Sequence, residues 1–161
     1  MSTTFISNFG LLVVLGTMLA TSPCGAQTNA APQVFKATIG GFLGTTYSVE
    51  LRGDTLVYSV ADGPKKASPK EVTPTTKQWN QFRRSLDEIK VWQWRTNYPN
   101  PGAYDGTQWS VDIRYPDRAL KAEGDNNYPD RAGKPGGLKV TKTFGLYTAA
   151  IRKLLGGLEF Q

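Results

Sequence analysis

The carboxylates Asp105, Asp112, Glu123, Asp125 and Asp130 lie close together in the second half of the chain. Two carboxyl groups that flank a glycosidic bond can act as acid and base, or as acid and nucleophile. A carboxylate hydrolase acting on glycan is therefore one chemistry the residues permit. Most others are excluded. The chain has no histidine and a single cysteine, Cys24. Ser-His-Asp and Cys-His nucleophilic sites need residues that are missing, and so do zinc sites built on His and Cys. No Gly-x-x-x-x-Gly-Lys run or dinucleotide fingerprint occurs, so no cofactor is implied.

The loop "GDNNYPD" (Gly124 to Asp130) is dense in oxygen ligands. An EF-hand loop starting at Asp125 requires Gly at its sixth position and Glu at its twelfth. Asp130 and Gly136 stand there instead, so that motif fails, and only an irregular cation site on Asp125, Asn126 and Asp130 stays open. Asn and Asp in turns more often bond their own backbone. Trp92, Trp94, Tyr98, Tyr104, Trp109, Tyr115 and Tyr128 crowd into fewer than 40 residues. Exposed aromatic rings can stack on sugars or on a protein partner. Trp79, Trp92 and Trp109 are expected in the core. Tyr98, Tyr104, Asp105, Asn126 and Tyr128 are the candidate binding residues.

Elements must position these groups. Val34–Ile39 and Thr46–Leu51 are rich in β-branched and aromatic residues, and "RGD" (Arg52 to Asp54) turns the chain into Thr55–Ala61. As a hairpin turn, Arg-Gly-Asp needs no adhesive role. A polar Pro-rich loop then leads to a helix of about 16 residues, with Thr73 as cap and Pro74 at its first position. Trp79, Phe82, Leu86 and Ile89 form its apolar stripe. "VWQWR" (Val91 to Arg95) reads as a strand. Thr107–Tyr115 alternates strictly, with Trp109, Val111, Ile113 and Tyr115 on one side and Gln108, Ser110, Asp112 and Arg114 on the other. Arg118–Glu123 is its hairpin partner. Thr141–Leu155 is the last helix, ended by Gly156-Gly157. The reading is an α+β domain, ββ-α-βββ-α, with an antiparallel sheet of about five strands and two amphipathic helices on one face. "YPDRA" occurs twice, at Tyr115 and at Tyr128, and is expected to be two separate turns.

One multi-part pattern stands out. Trp92 and Trp94 make W-x-W; Asp105, Gly106 and Trp109 make D-G-x-x-W; Gly124, Asn126, Tyr128 and Pro129 make G-x-N-x-Y-P. In this order the three parts resemble an uncharacterised group of bacterial proteins, over residues 76–155. The resemblance implies bacterial origin and a shared fold. It carries no activity, cofactor or site residue across.

The beginning of the chain reads as an export signal. Phe9–Ala20 is an apolar run, too short to span a bilayer, and a small-residue cleavage site follows. The expectation is a signal peptide over 1–26, cut after Ala26, a flexible leader over 27–33 and one domain over 34–161. No Lys or Arg precedes the apolar run, which keeps an uncleaved anchor as the alternative, and Pro23 argues against lipid on Cys24. After cleavage neither a cysteine nor a membrane span would be left. The chain carries 19 basic and 13 acidic residues, a net charge of +6, which suits acidic surfaces such as envelope polymers. Export argues against nucleic acid as the partner. The leading expectation is a periplasmic or secreted, non-catalytic domain that binds a macromolecular partner, an envelope polymer or a protein. The glycan hydrolase, and an inhibitor or immunity-type protein, are the alternatives.

Overall fold

A computed structural model describes residues 1, 31–41, 44–63, 65–66, 68–100, 102 and 106–161. The expected signal peptide beyond Met1, and leader residues 27–30, lie outside the described residues. The strands are β1 (Val34–Gly40), β2 (Thr45–Arg52), β3 (Thr55–Asp62), β4 (Lys65–Lys66), β5 (Lys70–Val72), β6 (Asn97–Tyr98), β7 (Gln108–Arg114) and β8 (Ala119–Asp125). The helices are α1 (Thr76–Glu88) and α2 (Lys142–Leu154). The domain is α+β. One sheet runs β4-β3-β2-β1-β7-β8-β6, seven strands, with β5 also pairing with β3. All pairs are antiparallel except β6 with β8, which is parallel. The expectation of about five strands in the order ββ-α-βββ-α is corrected in number and order. The added strands β4, β5 and β6 have two or three residues each, too short to show a period of two.

Strand register separates two faces. Val49, Ala37, Val111 and Ala122 stand opposite one another across β2, β1, β7 and β8, and all four are buried. The next row runs Tyr47, Ile39, Trp109 and Gly124. Both helices cover this face. Trp79 and Phe82 of α1 pack on Phe35, at ring separations of 6.2 and 5.1 Å. Phe144 of α2 packs on Trp109 at 5.0 Å. Burial of such side chains contributes about 1.5–3 kcal/mol each, which is why these two stripes seat the helices here. The C-terminal tail closes one end, where the Tyr58 hydroxyl donates to the Glu159 carbonyl at 2.7 Å and Phe160 is buried.

The helix α1 starts later than Pro74. Thr75 is the cap, and a capping box joins it to Gln78, so two backbone donors are satisfied reciprocally. The helix ends at Glu88 with Ile89 as its C-cap, and Lys90 just beyond takes a left-handed conformation (φ 56°). This turn also corrects the expected strand at Val91–Arg95. Val91–Gln93 form a single 3-10 turn instead. A strand would place Trp92 and Trp94 on the same side. The turn sends Trp94 into the core and leaves Trp92 half-buried outside it. The helix α2 begins at a Thr141 cap and ends before Gly156 and Gly157, both with positive φ.

The two "YPDRA" copies do different work. In the first, the Arg83 guanidinium lies 4.3 Å from the Tyr115 ring centre and grips Asp117 through both terminal nitrogens, at 3.1 and 2.7 Å. Arg118 reaches Asp87. This fastens α1 to the β7–β8 turn. In the second, Tyr128 is buried against Phe144, and one oxygen of Asp130 accepts from the Ala132 and Lys134 amides.

Candidate functional site

The other face of the sheet carries no described helix. Its rows follow the outward parity of the same strands. Glu50, Lys36, Asp112 and Lys121 form one row of alternating charge across β2, β1, β7 and β8. Lys36 helps hold Glu50 below the usual carboxylate range, after the larger effect of its hydrogen bond from Arg52. The next row is Ser48, Thr38, Ser110, Glu123 and Asn97. The one after contains Gly40, Gln108 and Asp125. Over these last two rows lies a cleft of about 520 Å³. Thr38, Asn97, Asn100, Gln108, Ser110, Glu123 and Asp125 supply its polar groups, and Pro99 its apolar side. That volume is within the range of small-molecule sites.

Charge in the cleft is one-sided. Glu123 faces Ser110 and Asn97 across the strands, and Asp125 faces Gln108. The ion pairs among the described residues involve Arg52, Arg83 and Arg118 with Glu50, Asp87 and Asp117, and none reaches the cleft. The cleft therefore presents two carboxylates, amides able to donate and accept, and hydroxyls.

The candidate binding residues fall into three groups. Tyr98 and Tyr128 are 0 % and 3 % exposed. The Tyr98 hydroxyl donates to the Gly133 carbonyl at 2.8 Å and accepts from the Arg95 amide at 2.9 Å. Neither ring offers a face to a ligand. Asn126 holds the end of the β7–β8 ladder. Its backbone is left-handed (φ 42°), its amide donates to the Thr107 carbonyl, and its side-chain oxygen accepts from the Thr107 amide at 2.8 Å. Tyr104 and Asp105 lie outside the described residues. The five do not gather on one described surface. The other carboxylates also disperse: Asp112 stands in the alternating row, and Asp130 is engaged in its own turn. No group of three or more Asp, Glu or Cys side chains that could hold a metal forms among the described residues.

The three-part pattern has a packing logic. Trp94 and Trp109 meet edge to face at 6.0 Å. The Trp109 indole nitrogen donates to the Asn127 carbonyl at 2.9 Å. A Cβ on Gly124 would lie 2.5 Å from that nitrogen, and a Cβ on Gly106 would strike the Asn126 side chain. The described pattern residues thus make room for one another around the aromatic core. No known family model and no curated protein matches the chain. The cleft residues Asn97, Asn100, Gln108 and Ser110 were missed as candidates in the sequence. The outward parity of β7 pointed at Gln108 and Ser110; the parallel pairing that brings Asn97 to Glu123 leaves no local signal.

Proposed function

We propose that this chain is a secreted or periplasmic, non-catalytic binding domain, and that its ligand lies in the cleft on the open sheet face. The observation that carries the reading is the uncompensated pair Glu123 and Asp125 among amides and hydroxyls. Such groups accept from and donate to the hydroxyls and acetamido groups of an uncharged glycan. They repel a polyanion at short range, so the ligand class is a neutral stretch of an envelope polymer. Pro99 adds a small apolar surface against which a ring can rest.

The hydrolase reading has one observation in its favour. Glu123 and Asp125 leave the same face of β8 two residues apart, roughly 6.6 Å along the strand, which is near the spacing of glycosidase carboxyl pairs. Against it, Glu123 is exposed, and the apolar enclosure that makes a carboxyl group a general acid is missing around it.

The test is co-sedimentation with insoluble envelope glycan and calorimetry with its soluble fragments. Glu123→Gln should weaken binding about tenfold, since a charged hydrogen bond contributes about 1.5–3 kcal/mol. Sugar release by the wild type that Glu123→Gln abolishes would transfer the conclusion to a hydrolase. Wild-type affinity unchanged by both Asn97→Ala and Glu123→Gln would remove the cleft from the function.

A further inference from the structure

The net charge of +6 is not spread over the molecule. Of the 19 basic and 13 acidic residues, six basic and no acidic ones fall between Arg131 and Leu158, which leaves 13 of each for the rest of the chain. The six are Arg131, Lys134, Lys139, Lys142, Arg152 and Lys153. None forms an ion pair among the described residues. The same stretch holds Leu138, Val140 and Leu146, exposed at 71, 59 and 48 %. Apart from Met1 they are the large exposed hydrophobic residues of the described chain.

Lys134, Lys139, Lys142 and Lys153 and the three apolar residues belong to α2 and the loop before it, whereas Arg152 donates to the Phe160 carbonyl. On α2 the buried positions include Phe144, Tyr147 and Ile151. Lys142, Leu146, Ala149 and Lys153 are spaced 4, 3 and 4 apart, which places them in one stripe on the outward side of the helix. Immediately before the helix, Lys134–Val140 are seven consecutive exposed residues. The segment is pinned at both ends: the Gly136 amide donates to the Tyr128 carbonyl, and the Thr141 hydroxyl donates to the Pro129 carbonyl. Val140 precedes the cap, where an apolar residue usually packs on the fourth helical position. That position is Gly145, so Val140 has no staple partner there.

We propose that this surface, the Lys134–Val140 loop with the outer stripe of α2, docks on an anionic lipid bilayer. Aliphatic side chains interleaved with lysines suit the interface between headgroups and acyl chains. A protein partner fits less well, because lysine is depleted and aromatic residues are enriched at protein interfaces, and the exposed patch has no aromatic ring. Single-stranded nucleic acid would likewise want rings for its bases. The arrangement lies on the bilayer and does not cross it; no described helix is long and apolar enough to span a membrane.

The experiment is sedimentation of the full chain with vesicles of phosphatidylcholine alone, or with about a third phosphatidylglycerol. The apolar run Phe9–Ala20 contains no charged residue, so its contribution does not favour the anionic vesicles. The expected result is preferential binding to the anionic vesicles that falls steeply with salt. Lys139→Glu with Lys142→Glu should lower it at least about 25-fold, from about fivefold per lysine. Leu138→Ser with Val140→Ser should lower it about tenfold or more. Both alter exposed positions and leave the core intact. Lys36→Glu with Lys121→Glu makes the same change in net charge on the bare face of the sheet and should have a small effect. Equal losses from the two charge-reversed pairs, equal binding to both vesicle types, or no binding to anionic vesicles would each overturn the proposal.

Discussion

Gly124→Ala should be among the most damaging small substitutions in the molecule. Gly124 is directly opposite Trp109 on the covered face. The added methyl would sit 2.5 Å from the indole nitrogen, 2.6 Å from the adjoining ring carbon and 2.7 Å from the Asn127 carbonyl oxygen. Ordinary contact needs roughly a further 1 Å, and the indole has little room to move: Phe144 lies 5.0 Å and Tyr98 5.5 Å from it, centre to centre. Overpacking of this kind costs about 1–3 kcal/mol. Displacing the indole also breaks its bond to Asn127, about 1 kcal/mol more. The total of about 2–4 kcal/mol corresponds to a fall in Tm of roughly 6–16 °C for a domain of this size. Near-ultraviolet circular dichroism during thermal unfolding reads it directly. The double variant with Trp109→Phe tests the cause, because a smaller ring should recover at least about 1 kcal/mol relative to the sum of the two single losses. A Gly124→Ala protein within about 0.5 kcal/mol of wild type, or strictly additive losses, would refute the packing argument.

Two further perturbations probe other joints. Tyr98→Phe deletes a hydroxyl that serves Gly133 and Arg95 in the core; stability in urea should fall by about 1–3 kcal/mol while glycan binding is unchanged, and loss of binding without loss of stability would return Tyr98 to the site. Arg83→Met removes a guanidinium from over Tyr115 and Trp92, at a cost of about 1–2 kcal/mol at neutral pH. It also changes the acid limb. The hydrogen bond from Arg83 holds Asp117 down to about 2 from its ordinary 3.8. A depressed carboxylate stabilises the fold above its unfolded value, and the effect is lost as pH falls through the folded one. The gap between wild type and Arg83→Met in urea midpoint should therefore narrow from pH 4 to pH 2; a constant gap would mean that Asp117 is not the linked group.

Much of the fold could be read from periodicity, and the parts that could not share a physical cause. The apolar stripes of α1 and α2 and the alternation of β7 persist over many residues, so period and face agree with the structure. The strands β4, β5 and β6 are too short to have a period. At Val91–Arg95 local propensity favours a strand, yet the buried Val91 and Trp94 and the left-handed Lys90 impose a tight turn. Aromatic crowding marked a cluster correctly but not its side of the surface: Tyr98 and Tyr128 look like ligand platforms in a loop-rich stretch until long-range packing buries them. The cleft was half legible. The outward parity of Gln108 and Ser110 was visible, whereas the register that aligns Ser110 with Glu123 and Glu123 with Asn97 is a non-local property.

The alternation of β8 connects these observations. Ala122 and Gly124 point into the core, and Glu123 and Asp125 point into the cleft. The fit of Gly124 under Trp109 thus fixes the strand that aims both carboxylates. The same sheet separates the two proposed surfaces. The cleft opens on the bare face, and α2, with its lysine and leucine stripe, lies on the covered one. A bilayer beneath α2 leaves the cleft directed away from the lipid, toward the aqueous compartment. Charge follows the same division on α2: the negative side chains of the cleft would be repelled by anionic lipid, and Lys142 and Lys153 stand exposed on the helix that covers the other face. The molecule would then rest on the membrane in one orientation, with ligand and lipid on separate surfaces.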